Sequence, residues 1–120
     1  TALEWRPNTR ARKIRVRPVS PRGLTVVSSR DHGDQDALAA LLSDYKVAAH
    51  KRIGSAVKFC MIACGDADLY PRLGRTMEWD TAAGQAVLEA AGGKVMTLAG
   101  QPLLYGKPGF ENPDFIAKGF

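Results

Sequence analysis

Three short stretches place a hydroxyl-bearing or small residue beside a charged one where a helix is expected to begin. They are Ser29-Arg30-Asp31-His32, Gly54-Ser55-Ala56-Val57-Lys58 and Glu78-Trp79-Asp80-Thr81-Ala82-Ala83-Gly84. Amide groups at a helix start point outward without partners, and the helix dipole favours negative charge there, so each junction suits an anion. In the second stretch Gly54 lets backbone approach a ligand, Ser55 offers a cap and a hydroxyl, and Lys58 lies one turn further on as a point charge for phosphate. A capped helix with a snorkelling lysine is the plainer reading of the same residues. Asp80 is either an ordinary N-cap or a hard oxygen ligand for Mg²⁺, which takes few protein carboxylates and completes its shell with water and phosphate. Trp79 either shields such a site from water or simply packs. His32, in a polar loop, is either solvent-exposed or a donor to a ligand hydroxyl or phosphate.

Other chemistries lack their patterns. No Walker loop, Gly-x-Ser-x-Gly or His-Glu-x-x-His occurs, and spacing alone supports no Ser-His-Asp triad. Cys60 and Cys64 lie four apart inside an apolar run, which reads as two buried thiols rather than a redox pair or half a zinc site. Two cysteines make no disulfide framework, so a reducing cytoplasmic setting is expected.

Positioning these junctions requires alternating strands and helices. Residues 1–12 lack periodicity and read as a basic loop or linker. Lys13–Pro18 alternates, with Ile14 and Val16 on one side, and reads as a half-buried strand. Leu24–Ser28 is short, apolar and β-branched, hence a buried strand. Asp34 can cap a helix carrying Leu38, Leu41 and Leu42; a strand is expected over Tyr45–His50. The helix after Gly54-Ser55 is apolar nearly all round and should be buried on most sides until Gly65. A strand at Ala67–Tyr70 and a loop from Pro71 to Thr76 lead to a helix from Asp80 to Ala91, whose alanines form a small-residue packing face ended by Gly92-Gly93. Lys94–Leu98 and Pro102–Tyr105 read as two strands around a turn, and Phe115–Ala117 as a last strand. This alternation favours a sheet with helices on both faces.

The 120 residues are 45% hydrophobic, 24% charged and 8% aromatic, the composition of a globular domain rather than a disordered chain. No apolar run reaches the roughly 18–20 residues that cross a membrane, and nothing resembles a signal peptide. Residues 1–30 hold eight basic residues against the single acid Glu4, while the other ninety hold nine basic and eleven acidic. A basic segment can be a solvated face, or can hold nucleic acid, an anionic membrane or phosphorylated small molecules. Beyond Trp5 no aromatic interleaves the arginines, which argues against a nucleic-acid polymer. A peripheral inner-membrane contact stays open.

Taken together, Ile14–Phe120 resembles the inositol monophosphatase superfamily. The run LYPRLGRTMEWDTAAGQAVLEAAGG, Leu69 to Gly93, is similar to that superfamily's second signature and, more narrowly, to bacterial 3′(2′),5′-bisphosphate nucleotidases. VVSSRDHG at Val26–Gly33, GSAVKFCMIACGDADLY at Gly54–Tyr70 and NPDFIAKG at Asn112–Gly119 follow in the family's order and spacing. The resemblance implies a layered α/β/α sandwich with a mixed sheet, like the C-terminal domain of these phosphatases, over residues 13–120. It implies a Mg²⁺-dependent enzyme that removes the 3′-phosphate of adenosine 3′,5′-bisphosphate to leave AMP, with the sulfated nucleotide PAPS as a further substrate, in sulfur assimilation. It makes Asp80 a metal ligand and Ser29, His32, Gly54, Ser55 and Lys58 the substrate-binding set. An inositol or sugar phosphatase of the same superfamily is the rival enzyme.

Two departures accompany the match. Asp31 stands where the family usually has serine, and Ala56 replaces a small polar residue. The family's first signature, Asp-Pro-(Ile/Leu)-Asp-Gly-Thr, and its upstream metal-binding glutamate do not occur. Metal-assisted phosphoryl hydrolysis needs several carboxylates around the metal. The chain is therefore expected to be the C-terminal half, lacking the N-terminal catalytic half and inactive alone, or a truncated non-catalytic binding domain.

Overall fold

The computed structural model describes residues 1–29 and 35–120. Its elements run β1 (Ala2–Glu4), β2 (Arg12–Ile14), β3 (Leu24–Ser28), α1 (Gln35–Leu42), β4 (Val47–Arg52), α2 (Val57–Ala63), β5 (Leu69–Arg72), β6 (Thr76–Met77), α3 (Glu78–Ala90), β7 (Lys94–Thr97), β8 (Glu111–Asn112) and β9 (Phe115–Lys118), with a 3₁₀ turn at Pro108–Phe110. Five strands form one mixed sheet in the order β4-β3-β5-β9-β7. β3 is parallel to both β4 and β5, while β9 is antiparallel to both of its neighbours. The expected layered α/β class with a mixed sheet is what forms.

Strand alternation sorts the core into two layers. Val27, Tyr70, Phe115 and Ala117 face Phe59 and Ile62 of α2 and Leu88 of α3. Leu24, Val26 and Leu69 face the other way, against Leu42 of α1, Tyr45 and Ile116. Phe59, Tyr70 and Phe115 contact one another at centroid distances of 5.3–5.9 Å, stacked or edge-on. α3 lies on α2 through Gly84, where an added Cβ would come within 2.4 Å of the Phe59 ring. Among the described residues no helix is long and apolar enough to cross a membrane.

Several elements differ from the sequence reading. The N-terminal segment expected as loop contains β1, which pairs with β2 in register Ala2↔Ile14 and buries Ala2 in the main core. Of the expected strand Lys13–Pro18 only Lys13 and Ile14 pair, in β2 with Arg12; Val16 instead donates its N–H to Ala91 O. α2 buries one face, not most: Lys58, Phe59, Ile62 and Ala63 are inside, whereas Val57 and Cys60 are exposed. Cys60 and half-buried Cys64 are thus not the expected buried pair. On α3 the alanines Ala82, Ala83, Ala86 and Ala90 are exposed, and the packing face is Thr81, Gly84, Gln85 and Leu88. Pro102–Tyr105 forms only an isolated bridge to Met96.

One buried carboxylate anchors the β2–β3 connection. Asp68, 1% exposed, accepts both Arg17 Nε and Nη2 at 2.9 Å and Thr25 N–H at 2.7 Å. Burial alone would raise its pKa, but the Arg17 guanidinium and the Thr25 amide hold it below the ordinary aspartate range.

Candidate functional site

β3, β4 and β5 are parallel, so their carboxyl ends lie at one edge of the sheet, where α/β folds bind ligands. β3 leads into Ser29, β4 into Ile53-Gly54-Ser55, and β5 ends at Arg72. β3 and β5 share the single register pair Val26↔Leu69, so the two strands part beyond it. A cleft of about 620 Å³ opens there, with the starts of α2 and α3 as its walls.

Five of the six site residues expected from sequence line this one cleft: Ser29, Gly54, Ser55, Lys58 and Asp80. The sixth, His32, lies outside the described residues, as does the variant position Asp31. Arg72, Thr76 and Thr81 also line it, and the sequence reading missed all three. Arg72 was legible in principle. It sits two residues after Tyr70 on a strand, so the two side chains share the α2/α3 face, and it stands at the strand's carboxyl end. Its guanidinium donates from Nη1 to Ser29 Oγ and from Nη2 to Arg75 O, while its buried Nε has no partner among the described residues.

Lys58 does not snorkel. It is 3% exposed, and Nζ donates to Ile53 O and Ser55 O at 2.8 Å each, 5.0 Å from the Tyr70 ring centroid. Burial, and secondarily the nearby Arg72 charge, pushes its pKa below the ordinary lysine range. Ser55 is not the α2 N-cap. Ala56 holds that place with no side-chain cap, and Ser55 takes a positive φ of 76°. Its hydroxyl accepts Val57 N–H at 3.4 Å.

Asp80 is not an N-cap either. α3 starts two residues earlier than expected, capped at Met77, and Asp80 Oδ2 reaches back to accept Met77 N–H at 2.8 Å. Asp80 is exposed and is the one carboxylate among the described lining residues. Trp79 is 70% exposed beside it and is not packed away. Among the described residues no three His, Cys, Asp or Glu side chains cluster as a metal centre. The cleft thus joins two cations, hydroxyls and one accessible carboxylate, an arrangement that can hold a phosphate and contribute one hard ligand to a cation.

Comparison with known proteins bears on that chemistry. The model of the inositol monophosphatase family matches residues 8–117. The chain is 44% identical over 115 residues to the 3′(2′),5′-bisphosphate nucleotidase CysQ of Escherichia coli (strain K12), covering 92% of this chain and 45% of that protein. It is 55% identical over 86 residues to a protein of Rhizobium leguminosarum bv. phaseoli described as an uncharacterized protein in the pss 5′ region, covering 67% of this chain and 90% of that one. Among solved structures it resembles CysQ from Bacteroides thetaiotaomicron, a bacterial member of the same family, with TM-score 0.72 and 37% identity over 85% of this chain and 39% of that chain. The chain therefore spans less than half the length of these named nucleotidases.

Proposed function

The chain belongs to the inositol monophosphatase family, and from that premise we propose that it forms the substrate-side part of a phosphatase for adenosine 3′,5′-bisphosphate. Water adds to the 3′-phosphorus as the P–O3′ bond breaks, giving AMP and inorganic phosphate; PAPS is the further substrate of the same reading. One observation carries it. Residues from three separate segments, Ser29, Gly54-Ser55-Lys58 and Asp80, converge on a single cleft with Arg72. Similarity to proteins named 3′(2′),5′-bisphosphate nucleotidases supplies the substrate class.

In this reading Arg72 meets phosphate oxygens, and Lys58 adds positive potential while fixing the Ile53–Ser55 backbone. Mg²⁺ is the cofactor the family resemblance implies, and Asp80 fits as one ligand. It is exposed at the cleft, and Met77 N–H engages its Oδ2. Bound there, the metal would polarise the phosphoryl group and lower the pKa of its water. Asp80 is the one carboxylate among the described lining residues, short of the usual cluster, so we assign the remaining ligands to a carboxylate-bearing half like that of the longer relatives. The chain alone is then expected to release no phosphate. The setting is cytoplasmic, with exposed Arg6, Arg10 and Arg12 as the surface that would meet an anionic membrane.

A second reading, an inositol or sugar phosphatase, draws support from Lys58. An ammonium engaged by two backbone carbonyls is less available for a second phosphate. The discriminating experiment replaces the matching region of the E. coli protein with this chain. Mg²⁺-dependent phosphate release is then assayed from adenosine 3′,5′-bisphosphate and from inositol 1-phosphate. Faster turnover of the nucleotide, abolished by Asp80→Asn, supports the reading. Preference for inositol 1-phosphate contradicts it.

A further inference from the structure

Thr76, Asp80 and Thr81 stand together on the α3 wall of the cleft, at the junction of β6 and α3. One side chain beneath that junction touches Thr76, Met77 and Thr81, and Met77 in turn engages Asp80. Asn112, on β8 opposite Thr76, is 5% exposed. Its Nδ2 donates toward Met77 O and Thr81 Oγ1 at 3.0 Å each and toward Thr76 Oγ1 at 3.3 Å. Its Oδ1 accepts Lys107 Nζ at 3.0 Å. Lysine can only donate and a carbonyl can only accept, so the amide has one permitted orientation. Lys107 is itself held by Glu78 Oε2 at 2.6 Å and by Leu104 O, and Glu78 also receives the N–H groups of Gly106 and Lys107. Met77, gripped by Asn112 through its carbonyl, presents its N–H to Asp80 Oδ2. Thr81 is gripped directly and is further shared with Tyr105 OH at 3.0 Å.

A polar network of this depth is stabilising only if every member is satisfied, and apolar packing would fill the same space with less at stake. Its placement under the cleft-lining residues suggests a use beyond stability. We propose that Asn112, oriented by Lys107, is a positioning residue that fixes the Asp80 carboxylate and the Thr81 hydroxyl at the cleft wall. What those groups do once positioned rests on the phosphatase reading; that Asn112 positions them does not.

Asn112→Asp is nearly isosteric, keeps an acceptor for Lys107 and removes both amide donors. NMR on the 120-residue chain reads the Met77 amide exchange rate and the Asp80 carboxyl carbon resonance. For Asn112→Asp the Met77 amide is expected to exchange about tenfold faster and the Asp80 resonance to move, with β3 and β9 amides unchanged. Lys107→Met should reproduce both effects without altering Asn112, so it carries the test if Asn112→Asp fails to fold. Lys107→Arg, which keeps a donor for Oδ1, should restore both toward the parent chain. An unmoved Asp80 resonance in Asn112→Asp and Lys107→Met, or uniform acceleration across β3 and β9, overturns the proposal. Titration of the same samples with adenosine 3′,5′-bisphosphate separates the two ideas. Coupling without nucleotide binding overturns the substrate assignment and supports Asn112 as positioning residue, whereas nucleotide binding without coupling overturns the role of Asn112.

Discussion

The two walls of the cleft reach their shapes by opposite means. The α3 wall is held by side chains: Asp80 closes onto Met77 N–H, and Asn112, Lys107 and Glu78 brace the turn from beneath. The α2 wall is held through backbone. Ser55 sits at φ 76°, Ala56 offers no side-chain cap, and one buried ammonium, Lys58, gathers the carbonyls of Ile53 and Ser55. A left-handed non-glycine residue persists only where its surroundings over-determine it. Lys58 therefore has a double part. It supplies charge to the cleft and also maintains the strained turn that shapes it, so its removal should not act on phosphate binding alone.

Disruption of the seam where both walls meet should have the largest effect. Gly84 lets α3 approach Phe59 of α2, and Gly84→Leu would drive a side chain into that ring. It is expected to cost about 3 kcal/mol or more by overpacking, read as a lowered urea midpoint, with both walls loosened together. Next comes the anchor outside the cleft, which serves as the contrast. Asp68→Asn removes the charge that pairs with Arg17 and should cost about 2 kcal/mol at neutral pH. The folded pKa of Asp68 is depressed, so its contribution is complete above the ordinary aspartate pKa and is lost as pH falls through the folded value. Urea midpoints measured against pH should therefore lose part of their acid-side slope in Asp68→Asn.

Smaller effects should distinguish the walls from each other. Lys58→Met leaves two carbonyls without their donor and is expected to destabilise by about 1.5 kcal/mol. Hydrogen exchange should quicken over residues 53–57 and not over residues 76–81. Ser55→Gly relieves the left-handed strain and should stabilise by about 1 kcal/mol, measurable by the same denaturation. Equal responses of the two walls to Lys58→Met would erase the distinction drawn between them.

What the sequence made legible depended on whether local pattern and tertiary context agreed. β3 formed over Leu24–Ser28 as expected because an apolar, β-branched run between turn residues has one sensible use. The start of α3 was displaced because aspartate suits both the N-cap and the third position of a capping box; only the extended backbone of Met77, φ −107° and ψ 160°, decides between them. α2 departs from the reading because an apolar-looking run contains an inward lysine, whose burial depends on the carbonyls of Ile53 and Ser55, five and three residues earlier in the chain, rather than on periodicity. Arg72 was missed because Pro71 reads as a strand end, yet Pro71 pairs within β5 opposite Ile116. The convergence of Ser29, Gly54, Ser55, Lys58 and Asp80 on one cleft was legible because helix starts and strand order act together, whereas the Asn112 brace spans more than thirty residues of sequence and leaves no local trace.

Under the proposed function, the cleft between the ends of β3, β4 and β5 would hold a nucleotide bisphosphate. Titrating the isotopically labelled chain separately with adenosine 3′,5′-bisphosphate and with inositol 1-phosphate tests it most directly. Resonance shifts are expected to concentrate on Ser29, Ser55, Lys58, Arg72 and Thr81, with about tenfold tighter binding of the bisphosphate, the gain of one further charge-assisted contact. Shifts centred instead on the separate cavity beside Lys13, Arg15 and Gly92, or equal affinity for the two ligands, would contradict it.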